Sequence, residues 1–139
     1  MYITKVRVGD RTEQTQKLFY ELEPSTQGEK SAFLPSDELL IIDDFTNSGG
    51  TLFGAVNLAR KLAGSDEFRV TIFVSHLVAT YDDKVVEGVA KKLQELGPNC
   101  RFCTTNTIPS TTALLKDHPQ VQILDVADFI SDMVTRSRL

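Results

Sequence analysis

The stretch from residue 39 to residue 52 constrains the fold of this chain more than any other. Its first four residues, 39–42, are all aliphatic, and the adjacent carboxylates Asp43 and Asp44 follow. A short aliphatic run bounded by polar residues is typical of a strand buried on both faces of a parallel sheet. A loop of small polar residues comes next, and an apolar helical pattern starts at Leu52. This order of strand, loop and helix predicts a ligand site in the loop, because ligands lie at the carboxyl ends of such strands.

The loop after the two aspartates has the composition of a phosphate site. Gly49 and Gly50 can adopt positive φ, and they lack the Cβ atoms that would keep a ligand from the backbone. Ser48 and Thr51 add hydroxyl donors. The helix is predicted to begin near Thr51, so its unpaired N–H groups and the positive end of its dipole face the same point. The loop therefore predicts an anion site, most naturally for phosphate.

Asp43 and Asp44 extend this prediction from a phosphate to a sugar phosphate. Two carboxylates would repel a bare polyphosphate, but they accept hydrogen bonds from sugar hydroxyls. A phosphate site on one side and acceptors for a diol on the other describe a sugar phosphate. The alternative is an aspartate-rich strand end with a glycine turn, which is common in α/β proteins and requires no ligand.

The length and charge of the chain favour one domain and argue against several functions. A chain of 139 residues has room for a single core. With a net charge of −4 and no basic stretch, binding to nucleic acid through phosphate neutralisation is not expected. No apolar run approaches the ~18 residues of a membrane span. The N-terminus lacks the apolar stretch of a signal peptide, so we expect a cytoplasmic protein.

The two cysteines, Cys100 and Cys103, form a single C-x-x-C. They fall in a segment that reads as a strand, where a spacing of three places the side chains on opposite faces. A structural zinc site needs four ligands, and neither His76 nor His118 lies at a suitable spacing. We therefore expect two ordinary thiols and no metal site.

The N-terminal part of the chain predicts two strands. Residues 2–8 and 17–23 alternate between apolar and polar positions, and the polar residues 9–16 read as a mobile loop between them. Lys5 and Arg7 project side by side from the first strand. Such a pair is either a solvated strand face or a functional pair of cations.

From residue 39 onward, strands alternate with helices, which implies right-handed βαβ units and a parallel α/β sheet. The predicted strands after residue 42 are residues 68–75, 101–105 and 121–124. The first helix is predicted to end at Gly64, and a capping box of Thr80 and Asp83 is predicted to open the second. Asp125 is predicted to cap a terminal helix. The residues of that helix expected to face inward are Val126, Phe129, Ile130, Met133 and Val134.

Residues 41–52 resemble the phosphoribosyl-pyrophosphate binding motif of the type I phosphoribosyltransferase fold. More narrowly, the chain resembles the C-terminal half of ribose-phosphate pyrophosphokinase, also called phosphoribosyl pyrophosphate synthetase. Residues 5–7, Lys-Val-Arg before a polar loop, are similar to the family's catalytic Lys/Arg pair. Ser75 and His76 are similar to the end of its next strand. The run Thr-Asn-Thr-Ile-Pro at 105–109 is similar to a run of the same family. The predicted strand and helix at the C-terminus of the chain are similar to the family's closing strand and helix.

The resemblance implies a three-layer parallel sheet of phosphoribosyltransferase type with an antiparallel N-terminal strand pair, in one domain over residues 1–139. Its catalytic residues would be Lys5 and Arg7, which stabilise charge as pyrophosphate passes from ATP to the sugar 1-hydroxyl. The aspartates would hold the ribose hydroxyls, and the loop would hold the 5-phosphate. The implied substrate-binding residues are Asp43, Asp44, Asn47, Ser48, Gly49, Gly50 and Thr51.

The resemblance also implies partners. The ligand would be ribose 5-phosphate or phosphoribosyl pyrophosphate, and Mg²⁺ would arrive with the nucleotide and be held chiefly by phosphate oxygens. Self-association into a homo-oligomer is expected from relatives with shared active sites. The preceding pyrophosphate loop and the nucleotide-binding N-terminal half of the family are absent from this sequence. We therefore expect an incomplete unit that does not turn over alone and meets ATP through a missing half or a partner subunit.

Asn47 departs from the family, which usually has an aspartate at this position. An amide cannot act as a base toward a nucleobase, so a purine phosphoribosyltransferase is less expected than the synthetase. Three hypotheses follow: the synthetase or its C-terminal domain, a phosphoribosyltransferase that uses phosphoribosyl pyrophosphate, and a non-catalytic relative that regulates active subunits. His76 is expected to be a hydrogen-bonded structural residue. Asn106 is expected to brace neighbouring loops and not to contact a ligand.

Overall fold

A computed structural model of the chain describes residues 5–8, 11–14 and 38–136; for the first two ranges the description covers the backbone. Two short strands lie in the N-terminal ranges, β1 (Lys5–Val8) and β2 (Arg11–Gln14). The elements after them are β3 (Glu38–Thr46), α1 (Gly50–Ala63), β4 (Arg69–Leu77), a 3₁₀ turn (Ala79–Tyr81), α2 (Asp83–Glu95), β5 (Cys100–Thr105), α3 (Pro109–Thr112), a second 3₁₀ turn (Ala113–Leu115), β6 (Val121–Leu124) and α4 (Ala127–Arg136).

The strands β3, β4, β5 and β6 form a parallel sheet in that order. Each strand is therefore the neighbour of the one before it, as expected for consecutive βαβ units that all cross in the same direction. β1 and β2 form a separate antiparallel pair. The α/β fold class, with a parallel sheet and an antiparallel N-terminal pair, is confirmed.

The core lies between one face of this sheet and the helices α1 and α2. The register places Ile41, Ile72 and Phe102 side by side, so these side chains share a face. Ile72 and Phe102 are completely buried, in one cluster with side chains from both helices. The helical members of the cluster are Leu52, Phe53, Val56, Ala59, Val86, Val89 and Leu93. Their spacing of three and four positions brings one apolar stripe of each helix onto the sheet.

β3 differs from its prediction in length and in burial. It does not end at Ile42 but continues through both aspartates to Thr46. It is also an edge strand of the described sheet, with β4 as its only neighbour there. Leu40 and Ile42 are 56% and 66% exposed, so the expectation of burial on both faces was wrong. Hydrophobicity alone does not distinguish an edge strand from a central one, because that difference is set by what packs on each face.

Part of the polar stretch 9–16, which was predicted to be a loop, is a strand. β1 and β2 pair so that Val8 lies opposite Arg11, and residues 11–14, predicted to be part of a loop, form the second strand. The prediction of a strand at 17–23 lies outside the described residues. The missed signal is Gly9 followed by Asp10: two such residues between strands are typical of a tight hairpin turn.

The predicted helix ends were partly right. Gly64 has φ 63° and closes α1, as expected from its glycine. α2, in contrast, is capped by Asp82, whose carboxylate accepts the Lys84 N–H at 2.9 Å. The expected cap Thr80 instead lies inside the 3₁₀ turn with a positive φ of 50°. The capping box was therefore wrong, because a turn intervenes between β4 and the helix.

The apolar residues of α4 were expected to face inward, and this was wrong. No residue of this helix is buried. The exposed fractions are 67% for Phe129, 49% for Ile130, 55% for Met133 and 51% for Val134. Within the described ranges, no helix is long and apolar enough to cross a membrane.

Candidate functional site

A cavity of about 400 Å³ opens where β3 passes into α1. Sites for small ligands usually measure about 300–1,000 Å³, so a sugar phosphate fits this volume. All seven predicted substrate-binding residues line the cavity. The described residues that line it are Asp43, Asp44, Phe45, Thr46, Asn47, Ser48, Gly49, Gly50 and Thr51. The predicted catalytic residues Lys5 and Arg7 lie on β1, and their side chains are outside the described residues.

Both aspartates line this cavity, and the alternation of buried and exposed positions along β3 is interrupted before the end of the strand. Leu39 and Thr46 are both buried, although an odd and an even position face opposite sides of a regular strand. The register between β3 and β4 has no pair at Asp44 and Ser75, where the interruption falls.

Each carboxylate is oriented by a backbone N–H. Oδ1 of Asp43 accepts the N–H of Asp44 at 3.1 Å, and Oδ1 of Asp44 accepts the N–H of Phe45 at 2.9 Å. Neither Oδ2 atom has a hydrogen-bond partner among the described residues. Asp43 is half-buried and Asp44 is exposed. Since an ionised carboxylate accepts several hydrogen bonds, both side chains keep the capacity to accept sugar hydroxyls.

The loop is shaped by Gly49, which has φ 69° and stands at the N-terminus of α1. Its carbonyl accepts the Phe53 N–H at 2.9 Å and therefore points along the helix. Because N–H and C=O point in opposite directions in a trans peptide, the N–H of Gly50 points back toward the cavity. No described side chain caps α1, and its first turn contains no acidic residue. The positive end of the helix dipole therefore faces the cavity without an acidic residue of the helix to neutralise it.

Gly49 is required at this position for a second reason. A Cβ atom added there would lie 2.3 Å from Cε2 of Phe53, and the ring is buried in the core. The positive φ and the close ring together exclude any side chain. Glycine at this position was predicted because it lets the backbone approach a ligand. The structure adds a packing requirement that the sequence did not indicate.

Two further residues that hold the loop were not predicted. Thr46 is buried, and its Oγ1 accepts the N–H of Gly49 at 3.2 Å. Lys92 on α2 donates from Nζ to the carbonyl oxygen of Ser48 at 3.2 Å. A threonine three residues before a glycine turn is a recognisable local signal. No local sequence signal indicates Lys92, because it lies 44 residues from Ser48 in the chain.

His76 belongs to a group of hydroxyls that joins the ends of β4 and β5. Its Nδ1 is 2.7 Å from Oγ1 of Thr107. Oγ1 of Thr105 donates to the carbonyl oxygen of Ser75 at 2.6 Å and lies 2.9 Å from Oγ1 of Thr107. His76 is therefore hydrogen-bonded within the structure, as expected of a structural residue.

Asn106 braces the start of α4, which confirms its predicted role. Its Nδ2 donates to Oδ1 of Asp125 at 2.7 Å, and its Oδ1 accepts the N–H of Val126 at 3.1 Å. Oδ1 of Asp125 also accepts the N–H of Ala127 at 2.9 Å, so the aspartate caps the helix as predicted. The Ala127 N–H and then the Asn106 amide lower the pKa of Asp125 below its usual value.

The cysteines lie away from the cavity as buried thiols. Cys100 pairs with Val70 and Cys103 with Phe73, which places them on opposite faces of the sheet as predicted. Burial raises the pKa of Cys100 to about 11, against a smaller opposing effect of Arg60, and burial also raises the pKa of Cys103. Within the described ranges, no group of three or more His, Cys, Asp or Glu residues could hold a metal ion.

Known proteins with similar sequences fall into two groups. The chain is 31% identical to a ribose-phosphate pyrophosphokinase of Mesorhizobium japonicum over 100 residues, which are 72% of this chain and 29% of that protein. It is 36% identical to an adenine phosphoribosyltransferase of Francisella philomiragia over 83 residues, 58% of this chain and 46% of that protein. It is 32% identical to an adenine phosphoribosyltransferase of Vibrio cholerae over 97 residues, 68% of this chain and 51% of that protein.

These relatives confirm the resemblance that the motifs indicated. The chain spans about half or less of the length of each of the three. No protein-family model matches it. The two groups match at comparable identity, so the similarity indicates a phosphoribosyltransferase-type domain that the synthetase and the transferase have in common.

Proposed function

We propose that this chain binds ribose 5-phosphate or phosphoribosyl pyrophosphate, as the sugar-phosphate-binding domain of a ribose-phosphate pyrophosphokinase. Enzymes of that class transfer pyrophosphate from ATP to ribose 5-phosphate. The observation that carries the proposal is the cavity itself. Two oriented carboxylates and a helix N-terminus that no described side chain caps line one space of about 400 Å³, and a sugar phosphate requires both features.

In this proposal the 5-phosphate lies against the N-terminus of α1. The N–H of Gly50 and the hydroxyl of Ser48 would donate to the phosphate oxygens, and the helix dipole would favour their charge. The ribose hydroxyls would donate to the Oδ2 atoms of Asp43 and Asp44, which have no other partner among the described residues. The aspartates would then bind the sugar, and the helix N-terminus would bind the phosphate.

The transfer step requires groups beyond this cavity. The oxygen of the sugar 1-hydroxyl would form a bond to the β-phosphorus of ATP and lose its proton to water. The bond between that phosphorus and the α-phosphate oxygen would break, and its electron pair would leave with AMP. Lys5 and Arg7 would stabilise the charge on the phosphoryl groups. ATP would be held by further polypeptide or by a partner subunit in a homo-oligomer.

Mg²⁺ fits the cavity as an ion that arrives with the ligand. The lining supplies two carboxylates, Asp43 and Asp44, and the described residues contain no larger cluster of metal ligands. Mg²⁺ keeps several water ligands and commonly binds through one or two carboxylates plus substrate phosphates. When bound, it would neutralise phosphate charge.

A phosphoribosyltransferase is the second candidate, and the matches to adenine phosphoribosyltransferases favour it. Asn47 argues against it, since an amide in the loop cannot take a proton from a nucleobase. The two reactions differ in their products, which ³¹P NMR can separate. With Mg²⁺, ATP and ribose 5-phosphate, a synthetase forms phosphoribosyl pyrophosphate; with adenine and phosphoribosyl pyrophosphate, a transferase releases free pyrophosphate.

Calorimetric titration with ribose 5-phosphate tests the binding proposal. We expect Asp44→Ala to weaken binding about tenfold or more, because hydrogen bonds to a charged group contribute ~1.5–3 kcal/mol. Gly49→Val should abolish binding, because it places a side chain against the Phe53 ring. Asp66→Ala, at an exposed acid outside the cavity, and Gly64→Val, at a glycine of similar φ with open space around it, are the controls. If Asp44→Ala and Gly49→Val give the same heats as the parent, the site is elsewhere.

A further inference from the structure

We propose that Lys92 is a positioning residue that fixes the peptide between Ser48 and Gly49, and thereby aims the loop N–H groups at the ligand phosphate. The inference rests on the proposed function and deepens it. It adds to the site a residue from α2 that no part of the loop sequence predicts.

Lys92 contacts the loop from the side of α2, outside the phosphate cavity. Its Nζ donates to the carbonyl oxygen of Ser48 at 3.2 Å and lies 5.7 Å from the centroid of the Phe53 ring. That ring fills the space where a Cβ of Gly49 would be. The lysine is half-buried and does not line the phosphate cavity; it lines a separate hollow between α1 and α2. Its ammonium therefore acts on the loop and not directly on the ligand.

The peptide between Ser48 and Gly49 is held from both sides. Lys92 binds its carbonyl oxygen, and Oγ1 of the buried Thr46 accepts its N–H at 3.2 Å. The two groups of a trans peptide point in opposite directions, so these contacts together fix the plane of the peptide. The plane sets the direction in which Gly49 continues into α1. If the plane rotates, the N–H of Gly50 turns away from the cavity.

The charge of Lys92 also supports anion binding. Among the described residues, the cavity lining contains two aspartates and neither lysine nor arginine. A carbonyl oxygen at the edge of an anion site repels the anion, and the ammonium on the Ser48 carbonyl offsets that dipole. The lysine thus supplies positive charge close to the loop without occupying the space of the ligand.

Calorimetry with ribose 5-phosphate on the full chain tests this role through three variants. Lys92→Met removes the ammonium and keeps an apolar stem, and we expect it to weaken binding about five- to tenfold, within the range of one ordinary hydrogen bond because the lysine acts on the loop and not on the ligand itself. Lys92→Arg keeps the charge and a donor, and it should restore most of the affinity. Lys91→Met, at the exposed neighbouring position of α2, should bind like the parent.

Hydrogen exchange of the Gly49 amide, measured by NMR without ligand, gives a second readout. Lys92→Met should speed this exchange, and Lys92→Arg should return it toward the parent rate. Parent-like affinity and parent-like exchange in Lys92→Met would each overturn the proposal. If the parent protein binds no ribose 5-phosphate, the proposed function fails, while the exchange rates still decide whether Lys92 holds the loop.

Discussion

Gly49→Ala should destabilise the protein by about 2–5 kcal/mol, and the structure divides this loss into two parts. The first is the left-handed conformation at φ 69°, which costs a residue with a Cβ about 1–2 kcal/mol. The second is the clash with Cε2 of Phe53, which would be 2.3 Å from the new methyl group. The ring is only 5% exposed and packs in the core, so it cannot swing aside. Displacing packed side chains costs typically ~1–3 kcal/mol.

Urea unfolding of Gly49→Ala beside Gly64→Ala separates the two parts. Gly64 has a similar φ of 63°, but a methyl group added there would have nothing within 4 Å of it, so Gly64→Ala carries only the first cost. The free energy of unfolding should therefore fall further in Gly49→Ala, by about 1–3 kcal/mol. The m-value should stay unchanged, which would show that the loss lies in native-state stability.

A double-mutant cycle checks that Phe53 is the cause. Phe53→Leu removes the ring atoms nearest to Gly49, so Gly49→Ala should cost less in that background than in the parent. Equal losses in Gly49→Ala and Gly64→Ala would refute the reasoning. The ring would then not lie under the loop, and the bracing assigned to Lys92 would lose its geometry as well.

Three further predictions concern the rest of the fold. Gln120→Leu should lower the free energy of unfolding by about 2–3 kcal/mol, because the two N–H groups of Gln120 Nε2 are shared among three backbone carbonyl oxygens at 2.7–2.9 Å. Gln94→Leu, at an exposed site, should not. Because the pKa of Asp125 is lowered in the folded state, its contribution to stability is present above the unfolded pKa of 3.8 and is lost as the pH falls through the folded pKa. Asp125→Asn should therefore flatten the acid side of a plot of urea midpoint against pH. The pKa of Cys100 is raised to about 11, so its contribution to stability has the opposite pH dependence: it is present below the unfolded pKa of 9.0 and is lost as the pH rises toward 11. Cys100→Ala should therefore flatten the alkaline side of the same plot.

The features predicted correctly from the sequence are those set by neighbouring residues. β6 covers residues 121–124 as predicted, and Gly64 ends α1 through its own left-handed conformation. Asp125 caps α4 through an N–H only two residues away. The cavity follows the same rule, because the described part of its lining is the continuous segment 43–51. A site made from one stretch of chain can be found from that stretch.

The features predicted wrongly depend on what packs against an element. The aliphatic run of β3 has the composition of a central strand, but the strand has one neighbour in the described sheet and one exposed face. The apolar stripe of α4 has helical spacing, yet Phe129 is 67% exposed. Periodicity gives the direction in which side chains point relative to one another. It carries no information on whether another element covers them.

The position of β3 at the edge of the described sheet fits the proposal that contacts from α2 hold the loop. A loop that leaves a central strand is held by strands on both sides, but β3 has only β4 beside it in that sheet, and their pairing is interrupted at Asp44. The chain then turns at Gly49, a residue without a side chain to anchor it. The contacts on the turn are Thr46 Oγ1 on the Gly49 N–H, the Phe53 ring beside Gly49 and the Lys92 ammonium on the Ser48 carbonyl. The Lys92 ammonium also lies 5.7 Å from the centroid of the Phe53 ring, where α1 meets α2. The geometry of the anion site is therefore set by the contact between α1 and α2, so substitutions on that interface should change phosphate affinity while the residues that touch the ligand stay the same.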